Sequence, residues 1–393
     1  MPLTLALTLL GLLVGAAALL AWRAADGVAT SLLVPTPYGL QPEFALVAFE
    51  RHVSDAARGS VVLPLPRVAR PPQFARVDAQ GRYGLLWDDD GAIGHGLLGP
   101  PSADADATVR RPLHVVQGSA PRAGAAARLD ATVFRRDPLR DHGLAFEDVR
   151  VAGPVGSLAA WWLDRASESA VVMVHGRRRG DRSEALRALP TVAAGGVSVL
   201  VSSYRNHDRS DPSPDGLFHY GASEADDLIA ALVWLGARGV RRVVLVTYSM
   251  GAAVALVARE RWPASGPALL AVTMDAPLVD PRAVVAAAAR AAGLPRFAVD
   301  LGLGLAARRS GVDFARLDLR RVAAALDVPL LVHATARDGT IPIALVDDFA
   351  ARVPSHLLTY RRLDEGDHVE AWNVDPEGYE EALAGFLTRA LAT

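Results

Sequence analysis

The sequence predicts an α/β fold. Its body is a doubly wound, mostly parallel sheet with a short helical cap, preceded by a small β-rich module and an N-terminal transmembrane helix. Three observations predict it. From about Leu144, short apolar runs rich in β-branched residues alternate with helical stretches, the sequence form of a parallel sheet covered on both faces. Between about Pro35 and Gly143, shorter apolar runs are broken by Pro, Gly and Asp in a strand-and-turn pattern. At the start, Leu3 to Trp22 runs without a charge.

Composition bounds the reading. The chain has 393 residues, more than twice a typical domain of ~150, which favours two domains or one large one. Half the residues are apolar (51%) and a fifth charged (21%), which excludes a disordered or fibrous chain. The 41 basic residues, all Arg, nearly cancel the 43 acidic ones, so nothing draws the chain generally towards nucleic acid. There is no Cys, which removes disulfides, thiolate metal sites and cysteine nucleophiles together.

As a helix, Leu3 to Trp22 would be roughly 30 Å long, the thickness of a bilayer's hydrocarbon core. Residues 1–25 are therefore expected to be a membrane anchor, making the protein single-pass. A cleaved signal, with a weak site at Ala16 and Ala18, is the alternative and would make it secreted. Arg23 is offset by Asp26, so the side of the membrane stays open. Gly11 and Gly15 form a small-residue pair that ordinary membrane-helix composition explains.

In residues 35–143, Ser60 to Leu63, Tyr83 to Trp87 and Leu113 to Val116 are expected strands. Asp88-Asp89-Asp90-Gly91 lacks the alternating ligand spacing of a calcium loop and reads as a solvated turn, as do Asp104 and Asp106.

In residues 144–393, strands are expected at Val171 to Val174, Val197 to Val201, Val243 to Val246, Leu269 to Val272, Pro329 to Val332 and Leu357 to Arg361. The continuous apolarity of the first five implies burial on both faces. Helices are expected near Arg182 to Ala194, Ala222 to Arg238, Met250 to Trp262 and Ile343 to Val353. The interval of about 277–326 is longer than one crossover needs and reads as a mostly helical cap insertion.

The strand Val243 to Val246 runs through Thr247-Tyr248-Ser249-Met250-Gly251 into a helix. A serine on that sharp turn has its hydroxyl exposed above the sheet and the following amide at the positive end of a helix. A serine needs a base to take its proton, and imidazole needs a carboxylate to fix its tautomer. Asp338, beyond the strand Pro329 to Val332, and His368, after the strand Leu357 to Arg361, follow in that order. In His175-Gly176-Arg177, the N–H of Arg177 can join that of Met250 as an oxyanion hole.

At these residues the chain resembles the α/β-hydrolase superfamily over about residues 144 to 393. Within it, Trp161-Trp162-Leu163, Ser203-Tyr204-Arg205-Asn206, Ser213-Pro214-Asp215-Gly216 and Glu370-Ala371-Trp372-Asn373 look like bacterial membrane-anchored serine hydrolases similar to prolyl-oligopeptidase-like and acyl-ester hydrolases. The resemblance implies a Ser249–His368–Asp338 triad and no cofactor. The expected activity is hydrolysis of an ester, thioester or amide through an acyl-enzyme, on a small-molecule or lipid-like acyl substrate. The alternative is a catalytically silent scaffold used for partner binding.

Two residues depart from the family's pattern. Thr247 stands where Gly usually precedes the nucleophile by two, and Ala334 follows His333 where Gly is common. Asp275, one strand earlier, is the rival acid. Arg177-Arg178-Arg179 could meet an anionic group but reads first as a solvated loop. His207 and His219 read as surface or structural, and Trp372 as a pocket wall or as packing under the last helix. No H-E-x-x-H spacing suggests a metal, and no G-x-G-x-x-G follows a strand.

Overall fold

The computed structural model describes residues 3–35, 40, 42–51, 55, 57–65, 77–103, 107–177 and 181–392, with side chains described from residue 15 onward. Eight strands form a first sheet: β1 (Phe44–Ala45), β2 (Ala48–Arg51), β3 (Arg58–Pro64), β4 (Tyr83–Asp89), β5 (Ala92–Leu98), β6 (Ser102–Ala103), β7 (Thr108–Gln117) and β8 (Ala126–Asp130). All its pairings are antiparallel, in the order β1-β8-β4-β5-β7-β3-β2, with β6 on β7. One face buries Leu63, Leu85, Trp87 and Leu129. The three strands expected here fall within β3, β4 and β7. Asp88 to Gly91 is the tight turn between β4 and β5, where Asp88 accepts the Gly91 N–H and both Asp90 and Gly91 have positive φ. Asp104 and Asp106 lie outside the described residues.

The second sheet comprises β9 (Glu147–Gly153), β10 (Gly156–Leu163), β11 (Ser169–Val174), β12 (Ser198–Ser202), β13 (Arg242–Tyr248), β14 (Ala268–Asp275), β15 (Leu330–Thr335) and β16 (Leu358–Leu363). Its order is β16-β15-β14-β13-β11-β12-β10-β9. Neighbours from β11 to β16 are parallel, while β10 runs antiparallel to β12 and β9. All six expected strands are present, and the antiparallel β9–β10 edge is an addition to them.

Alternate residues of each strand feed two cores, because successive side chains point to opposite faces. Val172, Val174, Leu245 and Met274 face one side, under α4 (Glu224–Ala237), α5 (Met250–Glu260) and α9 (Ile343–Arg352). Val171, Met173, Val244 and Val246 face the other, under α3 (Leu189–Ala194) and α11 (Pro376–Leu391). Short α2 (Pro138–His142) precedes β9, and α10 (Ala371–Val374) precedes α11. Between β14 and β15 the chain is helical, as expected, forming α6 (Pro281–Ala291), α7 (Arg296–Ser310) and α8 (Arg320–Ala323).

The run expected as an anchor lies in the N-terminal helix α1 (Leu3–Leu33). Among the described residues no helix is long and apolar enough to cross a membrane. The C-terminal part of α1 packs on the fold, whereas Leu19, Leu20 and Trp22, within the uncharged run, are exposed. Ala25, Ala29, Leu32 and Leu33 are buried, the last three within the main core. Small residues let α1 and α7 approach closely: a Cβ on Gly302 would stand 2.7 Å from Val28 Cβ and 2.9 Å from Ala25 O. Asp26 pairs with Arg309 at 2.6 Å. The side chains of Gly11 and the other residues before 15 lie outside the described residues.

Candidate active site

β13 ends at Tyr248 and the chain turns through Ser249 into α5. Ser249 takes φ 48° and ψ −113°, a strained conformation for a residue with a Cβ, and one that persists only when its surroundings enforce it. Here they do. The Ser249 N–H donates to Asp275 O (2.9 Å), and its carbonyl accepts from Ala252 and Leu278. Gly251 is obligatory, since a Cβ there would stand 2.3 Å from Val174 O. Thr247, the departure from the family pattern, is fully buried, and its hydroxyl donates to Thr273 O (2.8 Å). The extra side chain is thus absorbed between β13 and β14.

Ser249, His368 and Asp338 come together as expected. Ser249 Oγ lies 2.8 Å from His368 Nε2, and His368 Nδ1 lies 2.8 Å from Asp338 Oδ2. A carboxylate only accepts, so the Nδ1 proton belongs on that bond and Nε2 is left to accept from the serine hydroxyl. The second Asp338 oxygen accepts the N–H groups of Thr340 and Ile341, each at 2.7 Å, which fixes the carboxylate. Burial alone would pull the His368 pKa down. The charge and hydrogen bond of Asp338, with Glu184 and Asp367 nearby, outweigh it and raise the pKa above the ordinary histidine value.

The turn after β11 is bound on every carbonyl. The Tyr204 hydroxyl donates to His175 O (3.0 Å) and Gly176 O (2.7 Å), and His207 Nε2 meets Arg177 O at 2.9 Å. Glu184 accepts the Gly176 N–H at 2.6 Å. The Arg177 N–H donates to no acceptor among the described residues. Met250 opens α5, so its N–H has no helical acceptor. These are the two expected oxyanion-hole donors.

Other expectations sort as follows. The Arg177 guanidinium donates to Leu32 O (3.0 Å) and Ser31 O (3.4 Å), capping the end of α1. Arg178 and Arg179 lie outside the described residues. His207 and His219 are structural rather than superficial, both being buried; burial lowers the His207 pKa to about 4. The Asp275 carboxyl is fully buried with its pKa pushed up to about 7, chiefly by burial, and it makes no hydrogen bond to His368 among the described residues. Trp372 packs near the start of α11, its Nε1 donating to Glu380. Tyr204 and Glu184 were missed as site residues. The serine, histidine and aspartate stand out by type and order, whereas a tyrosine or glutamate supporting a turn has no local signature. A hollow of about 620 Å³ between α6 and α7 is lined by residues such as Arg282, Leu294 and Leu303, and by none of the three.

The Alpha/beta hydrolase family model matches residues 171–391, and a model described as a domain of unknown function matches residues 75–130. No curated protein matches the chain. Among solved structures, an esterase from Pyrococcus furiosus is 22% identical, with 65% of this chain and 95% of that one covered and a TM-score of 0.51. An a/b serine hydrolase without lid from Xanthomonas campestris is 18% identical, covering 63% and 94%, with a TM-score of 0.43. The chain belongs to the alpha/beta hydrolase family, whose model spans more than half of its length.

Proposed function

We propose that the protein is a serine hydrolase that cleaves an ester, thioester or amide bond through an acyl-enzyme, with residues 144–393 as the catalytic unit. The observation that carries this reading is the unbroken hydrogen-bond chain from Ser249 Oγ through His368 to Asp338 at the strained strand-to-helix turn.

Ser249 Oγ attacks the carbonyl carbon while its proton passes to His368 Nε2, and the carbonyl electron pair moves onto oxygen. The Arg177 and Met250 N–H groups receive that oxyanion, each such donor typically contributing ~3 kcal/mol in the transition state. Collapse expels the leaving group, which takes the proton from His368. A water then attacks the acyl carbon, gives its proton to His368, and the second collapse returns it to Ser249. Asp338 holds the imidazole in the productive tautomer and stabilises its charged form. Thr247, the feature that would favour a silent scaffold, finds a hydrogen bond rather than a clash.

A panel of short aryl esters, acyl thioesters and peptides tests the bond class. Turnover of at least one by the native protein, lost in Ser249→Ala, is expected. No turnover of any, with no labelling by a fluorophosphonate, would overturn the reading.

A further inference from the structure

The loop carrying His368 is strained. Val369, the next residue, sits at φ 59°, a left-handed conformation that a β-branched side chain adopts only under constraint. Some of that constraint comes from the hydrolase body. Asp367 Oδ1 accepts the Gly339 N–H (2.8 Å), the Thr335 hydroxyl donates to Asp367 O, and Arg187 donates to Val369 O (2.7 Å).

The rest comes from the first sheet and the chain around it. The Tyr83 hydroxyl donates to Glu370 Oε2 (3.0 Å), the same oxygen that accepts the Asp367 N–H at 2.9 Å. The Arg82 N–H donates to Asn373 O, and Asn373 Nδ2 donates back to Arg82 O (2.7 Å) and to Ala131 O (2.9 Å). Arg187 ties Ala131 O to Asn373 Oδ1. Gly81 approaches so closely that a Cβ would stand 2.1 Å from Asn373 O. Segment 77–81 is itself gripped by the fully buried Arg111, whose guanidinium donates to Val77 O, Ala79 O and Gly81 O. This is a buried polar interface aimed at one loop, and buried polar groups of this kind specify a single arrangement when fully satisfied.

We propose that the β-rich module is a positioning element for His368: Tyr83, with the Arg82 and Ala131 backbone, holds the Asp367–Asn373 loop so that Nε2 stays within reach of Ser249. This rests on the triad reading above. The module acts through Glu370 and Asn373 and touches no reacting atom, so Tyr83 is a positioning residue.

The test uses the full chain and an aryl ester that the native protein turns over. Tyr83→Phe removes one hydroxyl and is expected to lower kcat by roughly tenfold with KM within about twofold, since misplacing a catalytic group by 1 Å can cost on the order of 10²-fold. Glu370→Gln, which keeps an oxygen for both donors, is expected to recover more of kcat than Glu370→Ala. Arg122→Ala, on the module's exposed side, serves as the unchanged control. If Tyr83→Phe fails to fold, the Glu370 pair reads the same coupling. Native kcat in Tyr83→Phe, or equal kcat in both Glu370 variants, overturns the positioning role. Unchanged hydrolysis in Ser249→Ala overturns the triad reading, and the positioning role with it.

Discussion

Gly251→Ala adds one methyl group where α5 crosses β11. The added Cβ would stand 2.3 Å from Val174 O and 2.9 Å from His175 O, whereas ordinary contact begins near 3.4 Å. The helix start must retreat by about 1 Å to restore contact. Overpacking of this kind costs about 1–3 kcal/mol of stability. The retreat also carries the Met250 N–H and Ser249 Oγ away from the Arg177 N–H, and a 1 Å misplacement costs on the order of 10²-fold in rate. Urea denaturation gives the first quantity and kcat on an aryl ester the second. Gly304→Ala, within α7 and with nothing within 4 Å, is the counterpart and should gain about 0.5–1 kcal/mol with kcat unchanged. Native stability and native kcat in Gly251→Ala would refute the reasoning. Lost stability with intact kcat would separate packing from catalysis.

The raised pKa of His368 places the acidic limb of kcat/KM above the ordinary histidine value of about 6.5, because the base must be neutral. The stability it contributes is full below that ordinary value and is lost as pH rises through the folded one. Asp338→Asn should cut kcat by about 10⁴-fold, the tautomer being lost; a pH–rate profile of both proteins checks limb and magnitude. Asp275→Asn should keep its activity, which decides between the two candidate acids. Because the folded carboxyl is raised from 3.8 to about 7, native stability should fall as pH rises between those values, and Asp275→Asn should flatten that fall and be the more stable protein at pH 8; a drop in its pH 8 denaturation midpoint would contradict this. Arg205→Met should cost about 3–5 kcal/mol, since it strands the fully buried Asp227 carboxylate that Arg205 holds bidentately; a loss under about 1 kcal/mol in urea would argue otherwise.

The second sheet was legible because strands buried on both faces are continuous apolar runs; Ser249 and Asp338 each follow one of them at its carboxyl end, and His368 follows the partly buried edge strand β16. The β9–β10 edge was less so: Trp161-Trp162-Leu163 is apolar on both faces, like a parallel strand, and its antiparallel pairing to β12 is decided at a distance. The N-terminal helix was legible only in part. Its uncharged run, Leu3 to Trp22, stands out by composition, whereas the packing of Ala25 and Val28 against Gly302 joins segments most of the chain apart. Tyr204, Glu184 and Tyr83 were invisible as support because each acts through hydrogen bonds to residues that no local pattern pairs with it.

Fluorophosphonate labelling followed by peptide mass mapping tests the central claim most directly. A single phosphonyl adduct on Ser249 is expected in the native protein, slowed strongly in His368→Ala and absent in Ser249→Ala. An unlabelled but folded native protein, or an adduct elsewhere that persists in Ser249→Ala, would contradict it.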